Sequence, residues 1–432
     1  MRPLGSIAVM PSTPDPVKGA PDWLPPDSAA FDAVEGAFLE TARLGGYERV
    51  RTPVFEHTDV FARAVGESTD VVQKEMYTFA DKGGRSLTLR PEATAGIVRA
   101  ALSAGVPRSG SLPVKYAYAG DCFRYERPQA GRQRSFSQVD IEALGSDDPV
   151  LDAEVVLLGW EALRRAGLPA QALTLRLNTL GDPEDRPAYH QVLNAYLDTV
   201  DDLPPDVQAR RRTNPLRAFD SKAPRMSEVM ADAPLLADHV SESAKAHHAR
   251  VVELLEAEGL PLTHDPRLVR GLDYYTRTTF EYQAAGLGAQ NAVGGGGRYD
   301  GLAQVLGWGE RFPGIGWALG VDRTVLALTG SGTLPPPRPR VAVFVVVAAP
   351  ELAGEALSLV SALRGAGVAT DLGFDGRSVK AQFKVADRAG AARVVILGPD
   401  EVARGVLTVK DLATGEQREI ARTDATRELV GP

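Results

Sequence analysis

The chain has 432 residues and one cysteine, Cys122, so it can form no intramolecular disulfide and no cysteine-based zinc site. Its six histidines are scattered and give no metal-ligand spacing, so no metal site built from protein side chains alone is expected. Long apolar runs are also missing. The longest, Val341 to Ala349, is too short for a bilayer, which takes about 20 residues, and reads as a buried strand. The N-terminus has no apolar stretch ahead of a small-residue cleavage site. A cytoplasmic protein with no membrane partner is expected. Familiar catalytic motifs are absent as well: there is no GxxxxGKS or GxxxxGKT, no GxGxxG, no HExxH and no GxSxG. Any nucleotide must therefore be held by arginines and a sheet. Basic charge is short overall. Lys plus Arg total 48 against 56 for Asp plus Glu, and the net charge of -8 alone argues against a partner as anionic as nucleic acid.

What is present is ordinary for a globular chain: 44% hydrophobic and 24% charged residues. The length predicts two or three domains. Residues 1–17 carry four prolines and no periodicity, and read as a disordered leader. Residues 28–44 space Phe31, Val34, Phe38 and Leu39 as one helix face, closed by Gly45-Gly46. Residues 47–56 alternate as a strand, with Pro53 marking an edge or a special pairing site. Two further strands, VKYAYAGDCFRYE and SFSQVDIEALG, flank the basic loop RPQAGRQR. A helix over 150–166 precedes a less regular segment, about 171–262, with polar helices and a basic run. The proline-rich stretch 331–340 reads as a linker. After it, strands and helices alternate to residue 432. The predicted fold is an α+β domain over 18–330 with a mostly antiparallel sheet flanked by helices, carrying a helical insertion, followed by an α/β domain over 341–432.

Five clusters carry possible chemistry. Arg124, Arg127, Arg132 and Arg134 surround one acid, Glu126. They suit a phosphate or carboxylate, or else form a solvated hairpin tip. Gln138, Asp140 and Glu142 alternate next to them and can share one strand face, and Phe136 can stack on a base. Glu92 and Thr94 lie where a strand turns into a helix, as ammonium ligands or as helix caps. Arg270 stands by Tyr274 and Tyr275, in a site or in a loop packed on the core. Gly294 to Gly297 precede Arg298 and Tyr299; four glycines allow close backbone approach to a ligand. Small residues alternate over Gly314, Gly316, Ala318 and Gly320, then Arg323 opens a helix, where a cation opposes the helix dipole and so points to an external anion.

The set resembles a known family. FRYERPQAGRQRSFSQ resembles the second signature motif of class II aminoacyl-tRNA synthetases, GIGWALGVDR the third, and the strand around Pro53 the first. LVRGLDYYTRTTFEY and GGGGRYDGL are similar to the two histidine-specific signatures of histidyl-tRNA synthetases. The tail resembles that family's anticodon-binding domain. The resemblance implies activation of L-histidine by ATP and transfer to tRNA(His), by a homodimer. It implies catalytic roles for Arg124, Arg270 and Arg323. It implies histidine contacts from Glu92, Thr94, Gln138, Glu142, Tyr274, Tyr275 and Tyr299. Arg124, Glu126, Phe136 and Arg323 would hold ATP, with magnesium on its β- and γ-phosphates, and Arg127 and Gln129 would meet tRNA. Three departures stand out: Ala93 replaces a usual glycine, Ser137 stands where histidine is common, and KGAPDWLPP differs from the usual start. A regulatory, non-catalytic paralogue that serves ATP phosphoribosyltransferase is the alternative; such paralogues usually lack the tail that is present here.

Overall fold

The structure, a computed structural model, describes residues 15–66, 69–212, 214–221, 223–288, 290–336 and 339–430. The expected leader, 1–17, lies outside these residues except for its last three. The chain divides into two compact units, Met1–Pro335 and Pro336–Pro432. Among the described residues the strands of the first unit are β1 Glu48–Arg49, β2 Phe55–His57, β3 Thr78–Ala80, β4 Ser86–Leu89, β5 Val114–Phe123, β6 Ser135–Leu144, β7 Leu173–Thr179, β8 Leu262–His264, β9 Thr276–Ala284, β10 Ala292–Arg298 and β11 Gly314–Gly320. Those of the second are β12 Val343–Val347, β13 Thr370–Leu372, β14 Arg393–Leu397, β15 Val406–Asp411 and β16 Gln417–Ala421.

An eight-stranded sheet in the order β1-β5-β6-β11-β10-β9-β7-β8 organises the first unit. Its edge pairs, β1–β5 and β7–β8, are parallel; every pair between them is antiparallel. Period-two alternation gives the sheet two different faces. On one, Val139, Ile141, Ala143, Ile315, Trp317 and Leu319 enter a core shared with the helices Asp27–Leu44, Pro149–Ala166 and Val321–Ser331. The residues between them on β6 and β11 face the other way and line a cavity. Local chemistry fixes the helix ends. Asp148 accepts from Val150 N, Pro149 starts the helix without an N–H to lose, and Gly167 closes it at φ 116°.

Two expectations change. Residues 47–56 are not one strand. β1 is only two residues long, and β2 belongs to a separate three-stranded sheet with β4 and β3. Pro53 has no N–H for a ladder, and the carbonyls of Thr52 and Pro53 instead accept from the Arg90 guanidinium at 3.2 and 3.4 Å. The segment 171–262 is not a separate insertion throughout. Its two ends are β7 and β8, the last two strands of the main sheet, and Val251 and Leu255 of helix Glu242–Ala257 pack in the same core. Only the stretch between β7 and that helix leaves the sheet.

The second unit has a five-stranded sheet in the order β13-β12-β14-β15-β16, parallel across its first three strands and antiparallel beyond. Leu359, Val360 and Leu363 of helix Ala353–Gly365 meet Val343 and Val345 from one side. Ala386 of helix Val379–Arg388 meets Phe344 and Val346 from the other. The architecture is thus an antiparallel-rich α+β unit followed by an α/β unit, the predicted class.

Candidate active site

The second face of the large sheet floors a cavity of about 250 Å³. Glycines keep that floor low. A Cβ on Gly316 would collide with the Glu142 carboxylate and the Ile141 carbonyl, and one on Gly295 would press on the Arg270 guanidinium. The four-glycine run is therefore strand β10 at the sheet centre, where Gly294 and Gly295 line the cavity. Gly296 and Gly297 answer to neighbouring strands: a Cβ there would meet the carbonyls of Gly316 and Thr278.

Part of the cavity's surroundings is acidic and aromatic. Glu142 is 1% exposed; Thr94 Oγ1 donates to its Oε1 at 2.5 Å and the Tyr299 hydroxyl donates to its Oε2. Burial pushes the Glu142 carboxyl up to about 8, against the pull of those two hydroxyls. Tyr274 packs on Tyr275 and Tyr299 with ring centroids 4.6 and 5.7 Å apart. Burial raises all three phenols, so they stay neutral donors. Glu92 is buried at the start of helix Thr94–Ser103, where its Oε1 accepts from Ala95 N at 3.0 Å. The capping role and the cavity-lining position thus coexist. Gln138 and Asp140 line the cavity as well.

Arginines line the same cavity. Arg124 Nε donates to the Pro91 carbonyl at 2.8 Å, and its guanidinium lies 5.3 Å from the Phe136 ring centroid. Arg270 Nη1 pairs with Glu281 Oε2 at 2.7 Å. Arg323 Nη2 donates to the Gln290 carbonyl, while its buried Nε has no partner among the described residues. Burial and the nearby Arg132 hold the Arg323 guanidinium below its usual value. Glu126 faces Arg132 at 2.7 Å. Among the described residues no group of three or more His, Cys, Asp or Glu is arranged to hold a metal ion.

The structure therefore brings Arg124, Arg270, Arg323, Glu92, Thr94, Gln138, Tyr274, Tyr275, Tyr299, Glu126 and Phe136 around one cavity, with Glu142 hydrogen-bonded to two of them. Arg127 and Gln129 are not in it. They are exposed at the hairpin tip, where Gln129 and Arg132 exchange backbone hydrogen bonds at 3.0 and 2.9 Å. The unusual start docks on this hairpin: the Gly19 carbonyl accepts from Arg134 N at 2.6 Å.

Some functional residues escaped the sequence reading. Arg217 donates to the carbonyls of Arg270 and Gly271 at 3.2 and 3.0 Å and to Asp273 Oδ1 at 2.6 Å. Arg186 donates to the Tyr275 carbonyl. Both come from the stretch that leaves the sheet, and both clamp the loop that carries Arg270. Arg298, beside Tyr299, points away from the cavity: it is fully buried against Asp152 and donates to Asp300 Oδ1 at 2.9 Å. No sequence signal separates an arginine that clamps a loop from one that meets a ligand.

Comparison with known proteins agrees with this geometry. A family model described as histidyl-tRNA synthetase matches residues 19–324, and one described as an anticodon binding domain matches 341–431. A histidine–tRNA ligase of Nocardia farcinica is 52% identical over 405 residues, covering 93% of this chain and 94% of that one. One of Corynebacterium urealyticum is 51% identical over 407 residues, 94% of each chain. The crystal structure of apo S. aureus histidyl-tRNA synthetase superposes with a TM-score of 0.81 at 33% identity, covering 96% of this chain and all of that one. Fold, cavity and these matches define a class II aminoacyl-tRNA synthetase. Within that class, the chain belongs to the histidyl-tRNA synthetase family. The matched anticodon-binding unit argues against the regulatory paralogue.

Proposed function

We propose that the cavity activates L-histidine with ATP and then passes the histidyl group to the 3′ end of tRNA(His). One observation carries this reading: buried carboxylates, phenols and arginines line a single cavity. The carboxylates and phenols suit the ammonium and polar side chain of an amino acid, and the arginines suit a polyphosphate. Glu92, Thr94 and Gln138 take the α-ammonium. Glu142 and Tyr275 face the imidazole, and Tyr274 and Tyr299 close the pocket around it. Groups built to hydrogen-bond that ring are left unpaired by any other side chain, which supplies specificity.

The histidine carboxylate attacks the α-phosphorus of ATP. A C–O–P bond forms, the bond to the β-phosphate breaks, and pyrophosphate leaves with the electron pair. Negative charge grows on the equatorial oxygens, and fixed guanidinium groups stabilise it. Arg124 contacts the α-phosphate and the attacking carboxylate, and Arg270 stabilises the charge at phosphorus. Arg270 must leave or share Glu281 to do so. Arg323 takes the γ-phosphate and, with Phe136, encloses adenine. The Glu126 carboxylate at the cavity wall would meet the adenine edge or hold a magnesium ion, which would supply charge neutralisation to the polyphosphate.

Arg127 and Gln129, exposed on the hairpin, meet the acceptor end of tRNA. The basic run 206–225 offers less than its charge suggests: Arg211 is paired with Asp198 at 2.6 Å and Arg217 with Asp273. We place the protein in the cytoplasm as a homodimer; among the described residues no helix is long and apolar enough to cross a membrane. Histidine-dependent exchange of labelled pyrophosphate into ATP, followed by charging of tRNA(His), tests the reading. Absence of exchange overturns it, and exchange without charging overturns the tRNA assignment.

A further inference from the structure

Asp140 is the least satisfied charge in the cavity. It projects from the middle of β6, on the same face as Gln138 and Glu142, and lines the cavity floor. It is 1% exposed, and neither of its carboxylate oxygens has a hydrogen-bond partner among the described residues. A carboxylate buried in this way is costly unless something else completes it. Arg90 and Arg124 act on it through space and favour its charged form, but neither hydrogen-bonds to it. Arg90 is committed to the carbonyls of Asp121 at 2.7 Å and Thr52 at 3.2 Å, and Arg124 to that of Pro91. The other acids make matters worse: Glu142 and Glu92 add to burial in pushing the Asp140 carboxyl up.

The missing partner must come from a ligand, and its chemistry can be counted. An ammonium has three donors. Thr94 spends its hydroxyl hydrogen on Glu142 and Glu92 accepts from Ala95 N. Gln138 Oε1 is buried and, like both Asp140 oxygens, has no partner among the described residues. Glu92, Gln138 and Asp140 all line the cavity. Resting on the reading of this cavity as the histidine site, we propose that Asp140 is a further acceptor for the α-ammonium of histidine, beside Glu92, Gln138 and the Thr94 hydroxyl oxygen. Its negative charge then selects for a free amino group.

The test uses the full-length protein and its Asp140→Asn variant. Histidine-dependent pyrophosphate exchange gives KM for histidine and for ATP. 3-(Imidazol-4-yl)propionate, which is histidine without its ammonium, is added as a competitive inhibitor. The expected result is a histidine KM raised about 10- to 100-fold, with the KM for ATP and the inhibition constant of the analogue changed less than about 3-fold. The variant should also melt no lower than the parent, because an unpaired buried charge has been removed. An unchanged histidine KM overturns the proposal, as does an equal loss for histidine and for the analogue. If the Asn variant is insoluble, Asp140→Ser is read by the same two constants. A parent protein that exchanges no pyrophosphate overturns the functional reading itself, a separate and distinguishable failure.

Discussion

Glu142 lies behind the cavity wall, held by two hydroxyl donors that line it, and burial pushes its carboxyl up to about 8 from an ordinary 4.5. Between those values the folded protein keeps a proton that the unfolded chain has released. The stabilisation from this group is therefore full below the unfolded value and is lost as pH rises toward 8. Glu142→Gln removes that loss. The Tm of the variant relative to the parent should climb from about pH 5 to about pH 8, and parallel Tm profiles would contradict this. Arg270 is the residue whose chemistry is most exposed to test. Arg270→Ala should slow histidine-dependent exchange by about 100-fold or more, roughly 3 kcal/mol, and near-normal exchange would end its assigned role. The positions of these two residues were legible in different degrees. The alternation of Gln138, Asp140 and Glu142 survives in the sequence because a strand has period two. The pairing of Arg270 with Glu281 does not, because residues in a loop carry no period that tells where a side chain points.

Elements bring these side chains together, and two of them have single points of failure. Strand β11 runs flat under the cavity because Gly316 has no side chain. Gly316→Ala drives a methyl group into the Glu142 carboxylate and the Ile141 backbone. Loss of soluble protein or of histidine binding, read by calorimetry, is the expected outcome; a variant with parental histidine affinity would contradict the tight-packing account. The loop that carries Arg270 is held from outside the sheet by Arg217. Arg217→Ala should lower kcat for exchange by about 10-fold or more, with a smaller change in the KM for histidine, because a displaced Arg270 matters most as charge develops at phosphorus. The reverse pattern would make Arg217 a substrate contact instead. At this scale the sequence was readable where pattern and chemistry agreed. Helix Pro149–Ala166 announces itself by Asp148, Pro149 and Gly167. It was unreadable where one residue overrides a pattern: Pro53 ends a strand that alternation alone would continue, and Arg90, far away in sequence, takes up the freed carbonyls.

At the scale of the whole molecule, the charge of -8 and the assignment of a nucleic-acid partner are compatible. Phosphate binding responds to fields within about 10 Å, the Debye length at moderate salt. The hairpin 124–134 carries four arginines and one acid, whereas 341–432 holds eleven basic and twelve acidic residues and has no surplus. Each unit has its own hydrophobic core. Residues 1–335 alone should keep histidine-dependent exchange and lose most tRNA charging; loss of exchange on truncation would show that the chemistry depends on the second unit. The proposed reaction joins histidine to ATP in this cavity. Exchange of labelled pyrophosphate into ATP tests it most directly. Exchange should require histidine and should be slowed about 100-fold or more in Arg270→Ala. Histidine binding without exchange would contradict it.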